Sequence, residues 1–198
     1  MAIVHKATVT PSKQEIVTGW LDRQPWGGSG PARVLGSYRF DDPDGEVGVE
    51  ALLVDRGGTV LHVPLSYRGA DLAGSEAFLV ARMQHSVLGD RWIYDATGDP
   101  VAVDCFVRAL RGEQEQAAIE VWDGDTLVEH REPDARVQVQ RGSDASGWDA
   151  EDVAVVETAG GRLAIGHVVR TTLEGPGQLF ATWPGGHGVV AALVVPER

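Results

Sequence analysis

"RVLGSYRFDDPDGEVGVEALLVDRGGTVLHVPLSYRG", residues 33–69, holds three apolar-rich runs separated by Asp-Asp-Pro-Asp-Gly at 41–45 and Asp-Arg-Gly-Gly at 55–58. Both separators are turn chemistry: Asp bonds nearby backbone, Pro presets φ, and Gly accepts a positive φ. The segment predicts an antiparallel meander with strands near 33–40, 46–55 and 59–67. That meander sets the fold class, and the flanking elements are read against it.

Upstream, Ser12 followed three residues later by Glu15 is a capping box, with Pro11 suited to the first turn and Ile16, Val17, Trp20 and Leu21 forming an apolar stripe. A helix over 12–23 follows, ending before Pro25 because the residue preceding proline is pushed out of the helical region. Downstream, "AFLVARMQH" at 77–85 predicts a fourth strand, Gly89 a turn and "RWIYDA" a short alternating strand. Asp99 and Pro100 form an N-cap and N1 pair, and Val103, Phe106, Val107 and Leu110 recur at helical spacing. Arg108 and Arg111 suit the last turn of that second helix, and Gly112 its left-handed stop.

From 113 onward strands are expected near 117–122, 126–131, 135–141, 153–158, 162–170, 178–183 and 188–195, divided by turns such as "AGGR" and "PGGHG". "GSDASGWDAED", 142–152, reads as a long exposed loop. The expected class is α+β, with seven strands that form a small barrel or a sheet continuous with the first half. The division is into region 1–112 and an acidic β-rich region 113–198, which could equally be one continuous domain.

Composition narrows the function. At 198 residues and 43% hydrophobic the chain can bury a sizeable core, and no run approaches the roughly 18 apolar residues of a membrane helix. "MAIVHKATVT" is not patterned as a secretory signal, so a cytoplasmic location is expected, with no membrane partner. Residues 1–112 carry 11 Lys and Arg against 14 Asp and Glu, whereas 113–198 carry 6 against 15. Both lysines, Lys6 and Lys13, lie near the N-terminus, so no basic stripe exists to follow a nucleic-acid backbone. The lone Cys105 excludes an internal disulfide and fits a reducing compartment.

Catalytic motifs are sparse. There is no G-x-S-x-G elbow, and Ser29 in "GGSGP" is not preceded by a strand; G-x-G-x-x-G and the P-loop pattern are also missing. Nothing selects a pair of carboxylates for glycoside hydrolysis. The six histidines show neither H-x-x-x-H nor H-x-H spacing, so no metal and no cofactor is expected. Cys105, inside the second helix, reads as a packed thiol, although a meeting with His85 in space stays open. The densest polar run is "HSVLGDRWIYDATGDP", 85–100, where His85, Arg91, Trp92 and Asp95 could hold a sugar, the ring stacking on Trp while Arg and Asp bond hydroxyls. The same residues could simply fix a turn.

"TPSKQEIVTGWLDRQPW", "YRFDDPDGEVGVEALLV", "LHVPLSYRGADL" and "HSVLGDRWIYDATGDPV" resemble, in order and spacing over about residues 1–112, the N-terminal cap domain of actinobacterial maltokinases, in particular its short stand-alone relatives. The resemblance implies a curved antiparallel sheet with a packed helix, of cystatin-like topology. Those kinases transfer phosphate from ATP to maltose, which needs a phosphate-holding lysine, a catalytic Asp with a downstream Asn, and a metal-binding Asp. No lysine follows Lys13 and the chain contains no asparagine, so the catalytic elements do not carry over.

The leading expectation is a noncatalytic cap-like module that binds or regulates a partner enzyme of maltose, trehalose or α-glucan metabolism, conceivably a sugar kinase. Trp26, Tyr67, Arg68 and Trp92 are the expected exposed anchors, since Trp, Tyr and Arg dominate interface energies. The alternative is a small-molecule sensor or carrier for a sugar, with its pocket between the helix-packed sheet and the acidic half. A glucan-modifying enzyme with an unrecognised site is the third reading.

Overall fold

The computed structural model describes residues 2–143, 147–148, 150–170 and 173–195. Two short strands, β1 (Ala2–His5) and β2 (Val9–Thr10), precede helix α1 (Lys13–Leu21). The meander follows as β3 (Ala32–Asp41), β4 (Gly48–Arg56) and β5 (Thr59–Arg68), antiparallel throughout. Its turns close as their residues dictate: the Asp42 carboxylate accepts the backbone N–H groups of Asp44, Glu46 and Val47, and Asp55 accepts that of Gly58. Gly57 and Gly58 sit at φ +62° and +85°, where a Cβ would be strained.

A 3-10 turn at Glu76–Phe78 leads into β6 (Leu79–His85), which pairs with β7 (Gly89–Asp95); a second 3-10 turn, Ala96–Gly98, leads into α2 (Pro100–Leu110). The α1 capping box is present in both directions, while Pro11 lies outside the helix, before the Ser12 cap. Asp99 caps α2 by accepting from Val101 N at 3.0 Å, and Gly112 ends that helix at φ +72°. The second half supplies β8 (Ile119–Asp123), β9 (Thr126–Arg131), β10 (Arg136–Arg141), β11 (Val153–Thr158), β12 (Gly161–Arg170), β13 (Gly177–Trp183) and β14 (Gly186–Val194). With 52% of the described residues in strands and two α-helices, the architecture is α+β. Among the described residues no helix is long and apolar enough to cross a membrane.

The seven later strands do not close into a barrel. Two of them, β8 and β9, join β1 in a three-stranded sheet in which β1 and β8 run parallel. The other five pair in the order β10-β13-β14-β12-β11. They continue into the first half because Val168 of β12 pairs with Leu61 of β5. The opposite end of β5 pairs with β7 along the same edge, so this one strand carries β4 on one side and both β12 and β7 on the other.

The 142–152 segment departs from an exposed loop. Residues 144–146 and 149 lie outside the described residues, but Trp148 is buried, its indole N–H donating to Glu174 O. An aromatic in a Gly/Ser/Asp-rich run is an anchor, and here it packs with Ala164, Leu173 and Ala192.

Two cores flank the shared sheet. Ile16, Val17, Trp20 and Leu21 of α1 bury against Leu52, Val54, Leu61 and Leu65, four residues of the meander face that also carries Val63. On the other face Phe106, Val107 and Leu110 of α2 meet Tyr38, Phe40 and Leu53 of the meander together with Leu163, Ile165, Leu179 and Val190 of the later strands.

His62 lies where these parts join and is fully buried. Its Nδ1–H donates to Gly166 O of β12 at 2.9 Å, which leaves Nε2 to accept from the Tyr38 hydroxyl at 2.8 Å. Burial pushes the imidazole down to about 3; the Gly166 bond opposes this, and charge on His167 acts in the same direction as burial. The unfolded ring, with a pKa near 6.5, binds its proton first, so folding stability falls as pH drops from about 6.5 toward 3. From His62 alone, urea unfolding should show a loss of about 2 kcal/mol between pH 7 and pH 5. His62→Phe should be less stable by about 1–3 kcal/mol at pH 7, because the Tyr38 hydroxyl and Gly166 carbonyl lose their partner. Its decline between pH 7 and 5 should be shallower than that of the wild type.

Candidate functional site

Helix α1 has nine residues, about 14 Å of length, and covers only part of its sheet face. Beyond its N-terminus the face is roofed by residues 2–9, and between roof and sheet lies a cavity of about 560 Å3. That volume falls among small-molecule sites, which span about 300–1,000 Å3. Every lining residue comes from positions 2–93, so this cavity lies within the first half and not between it and the acidic half. A shallower cleft of about 590 Å3 does lie between the halves, bordered by Phe40, Ala109, Gln116, Arg136 and Leu179.

A charged network sits beside the cavity. Glu50 points to the α1 face from the apolar run 48–54 of β4 and is 3% exposed. Its carboxylate accepts from Lys13 Nζ at 2.7 Å and the Tyr67 hydroxyl at 3.0 Å, and pairs with Arg39 at 3.3 Å. Burial alone would raise this carboxyl, but the Arg39 and Lys13 charges and the hydrogen bonds outweigh it and hold it at about 2. Burial, and after it the same carboxylate, pushes the Tyr67 phenol well above its ordinary value. Lys13, Arg39 and Tyr67 line the cavity, and each is bonded or paired to Glu50.

The expected site residues are dispersed by strand geometry. Alternation along β7 puts Arg91, Ile93 and Asp95 on one face and Trp92 and Tyr94 on the other. Of the expected site residues in the run 85–100, His85 and Arg91 reach the cavity, joined there by Tyr67. His85 Nδ1 accepts from Val87 N at 3.2 Å and Leu88 N at 3.1 Å and so shapes the hairpin turn. Burial, then the charges of His5 and Arg91, lower its pKa. Asp95 accepts from Thr97 N and its hydroxyl, capping the 3-10 turn.

The four expected anchors are all partly buried. Trp26 stacks on His167 of β12 with centroids 4.3 Å apart and planes at 5°, an internal contact across the halves. The Arg68 guanidinium forks onto the buried Asp99 carboxylate at 2.7 and 2.6 Å, joining β5 to the α2 cap. Tyr67 serves Glu50. Trp92 lies half-buried under the Arg82 guanidinium, 5.7 Å from the ring centroid, and its buried Nε1–H has no acceptor among the described residues. Cys105 and His85 have separate surroundings: the buried thiol contacts Asp41 O and is pushed up to about 11, chiefly by burial. No group of three His, Cys, Asp or Glu side chains able to hold a metal occurs among the described residues.

Sequence reading missed Glu50, Arg39 and His5. A signal existed for the first, since a carboxylate inside "VGVEALLV" must find cations if both strand faces are buried. None existed for His5, whose place depends on β1 pairing with β8 over a hundred residues away.

The family model of the maltokinase N-terminal cap domain matches residues 20–99, from the end of α1 through the meander and the β6-β7 hairpin to the α2 cap. That region of the chain is cap-like. A comparison with curated proteins returns no match.

Glu50→Gln should cost about 3 kcal/mol, because Arg39 is left in a half-buried site without its counter-charge. The wild type should lose stability as pH falls from about 4.5 toward 2, the range between the unfolded and folded carboxyl, and urea titrations should show this acid limb flattened in the variant.

Proposed function

We propose that the protein is a noncatalytic cap-like module of cystatin-like topology that binds and regulates a partner enzyme of maltose, trehalose or α-glucan metabolism, with both halves acting as one folding unit. The observation that carries this reading is the cap match over residues 20–99. The site chemistry supports it: the imidazole at the seam is held near 3, the only thiol is buried near 11, and the charged groups around Glu50 satisfy one another. None of these groups has the pKa or the access of a nucleophile or general base working near neutrality.

The docking face of this reading centres on Trp92 with Arg82. A half-buried indole with a guanidinium over its ring is the kind of anchor that gains most from a partner surface. Size-exclusion chromatography of mixtures with purified enzymes of these pathways, a maltokinase-type sugar kinase first, should give a stoichiometric complex. Trp92→Ala should weaken that complex at least tenfold without lowering the melting temperature appreciably. Absence of a complex with every enzyme tried at tens of micromolar would remove the reading.

A further inference from the structure

The cavity under residues 2–9 is chemically polarised. At one end, on β6 and β7, stand His85 and Arg91, with His5 of the roof beside them; the His5 and His85 rings lie edge to face at 6.3 Å. Arg91 has no carboxylate within ion-pair distance among the described residues, unlike its cavity neighbours Lys13 and Arg39. His5 Nδ1 is buried without a hydrogen-bond partner. His85 accepts through Nδ1, so its neutral ring presents Nε2–H, and no acceptor for it is found among the described residues. Three nitrogen groups thus gather at one end without an anion between them.

An apolar stretch of the wall is formed by Val4, Val9, Ile16, Met83, Leu88 and Ile93, while Lys13, Arg39 and Tyr67 line it beside Glu50. The acidic side chains lie on the far side, in the β3-β4 turn. From β4 to β6 is three strand spacings, about 14 Å. Asp42 there is occupied by three backbone N–H groups, and Glu46 is exposed. Gly48 opens the floor: a Cβ at this position would meet nothing closer than Tyr67 Cβ at 3.6 Å.

A sugar would need donors and acceptors distributed around its ring, yet Lys13, Arg39 and Tyr67 are committed to Glu50. A charge-assisted bond at one end and an apolar stretch of wall leading away from it suit a different molecule. We infer that this cavity binds an amphipathic monocarboxylate, its carboxylate held by Arg91 with His5 and His85 and its hydrocarbon body lying between α1, β1 and the sheet. This inference is independent of partner binding through Trp92, which lies on the opposite face of β7.

Isothermal titration of the full chain with decanoate below its micellar concentration, with decanol, decyltrimethylammonium and maltose in parallel, tests it. One decanoate should bind per chain, at least tenfold more tightly than decanol, with neither the cationic amphiphile nor maltose competing. Arg91→Met keeps the apolar stem and should bring decanoate down to the level of decanol. Gly48→Leu should fill the floor and abolish binding while circular dichroism shows the fold retained. Equal affinity for decanoate and decanol in the wild type, an unchanged preference in Arg91→Met, or no heat at millimolar decanoate would each overturn the inference. If Gly48→Leu does not fold, Arg91→Met decides it.

Discussion

The bond from His62 to Gly166 O is the constraint on which the rest of the molecule hangs. It joins β5 to β12 inside a region where neither group can reach water, so each requires the other. Tyr38 completes the ring's bonding from β3, and His167, one residue beyond Gly166, turns back to stack against Trp26. The imidazoles of His62 and His167 therefore fix the meander, the later sheet and the loop after α1 relative to one another. The neutrality of His62 is part of the design, since only an uncharged ring can donate at Nδ1 and accept at Nε2.

From that junction the two faces acquire separate tasks. The α2 face is filled from both halves and holds the larger core. The α1 face is only partly covered by its short helix, and the remainder is occupied by a charged network, a roof of N-terminal strand and a cavity. Glu50 mediates between them: it consumes the charges of Lys13 and Arg39, keeps Tyr67 oriented, and leaves Arg91 as the cation of the cavity without a counter-charge among the described residues.

Local chemistry made much of the fold legible. The Ser12-Glu15 box, the Asp99-Pro100 cap, Gly112 and the 41–45 and 55–58 turns act over a few residues, and each appears in the structure where the residues place it. Long-range pairing was not legible. Nothing in "AIVH" announces a parallel partner at 119–122, and nothing in "HVV" announces that β12 passes from β11 to β5 along one edge. The candidate site suffered most, because residues contiguous in the chain were read as contiguous in space. Strand alternation divides Arg91 from Trp92, and the 3-10 turn absorbs Asp95, so only His85, Arg91 and Tyr67 of the expected set share the cavity.

In the proposed reading the cap-like region and the acidic strands form one folding unit, joined through β5, β12 and α2. Native-state hydrogen exchange in increasing urea reads this directly, comparing the amides of Val63 and Leu65 in the meander with those of Ile165 and Val190 in the later strands. A common unfolding free energy and a common urea dependence for both sets is the expected result. Loss of protection in the later strands at distinctly lower urea, with the meander still protected, would contradict it.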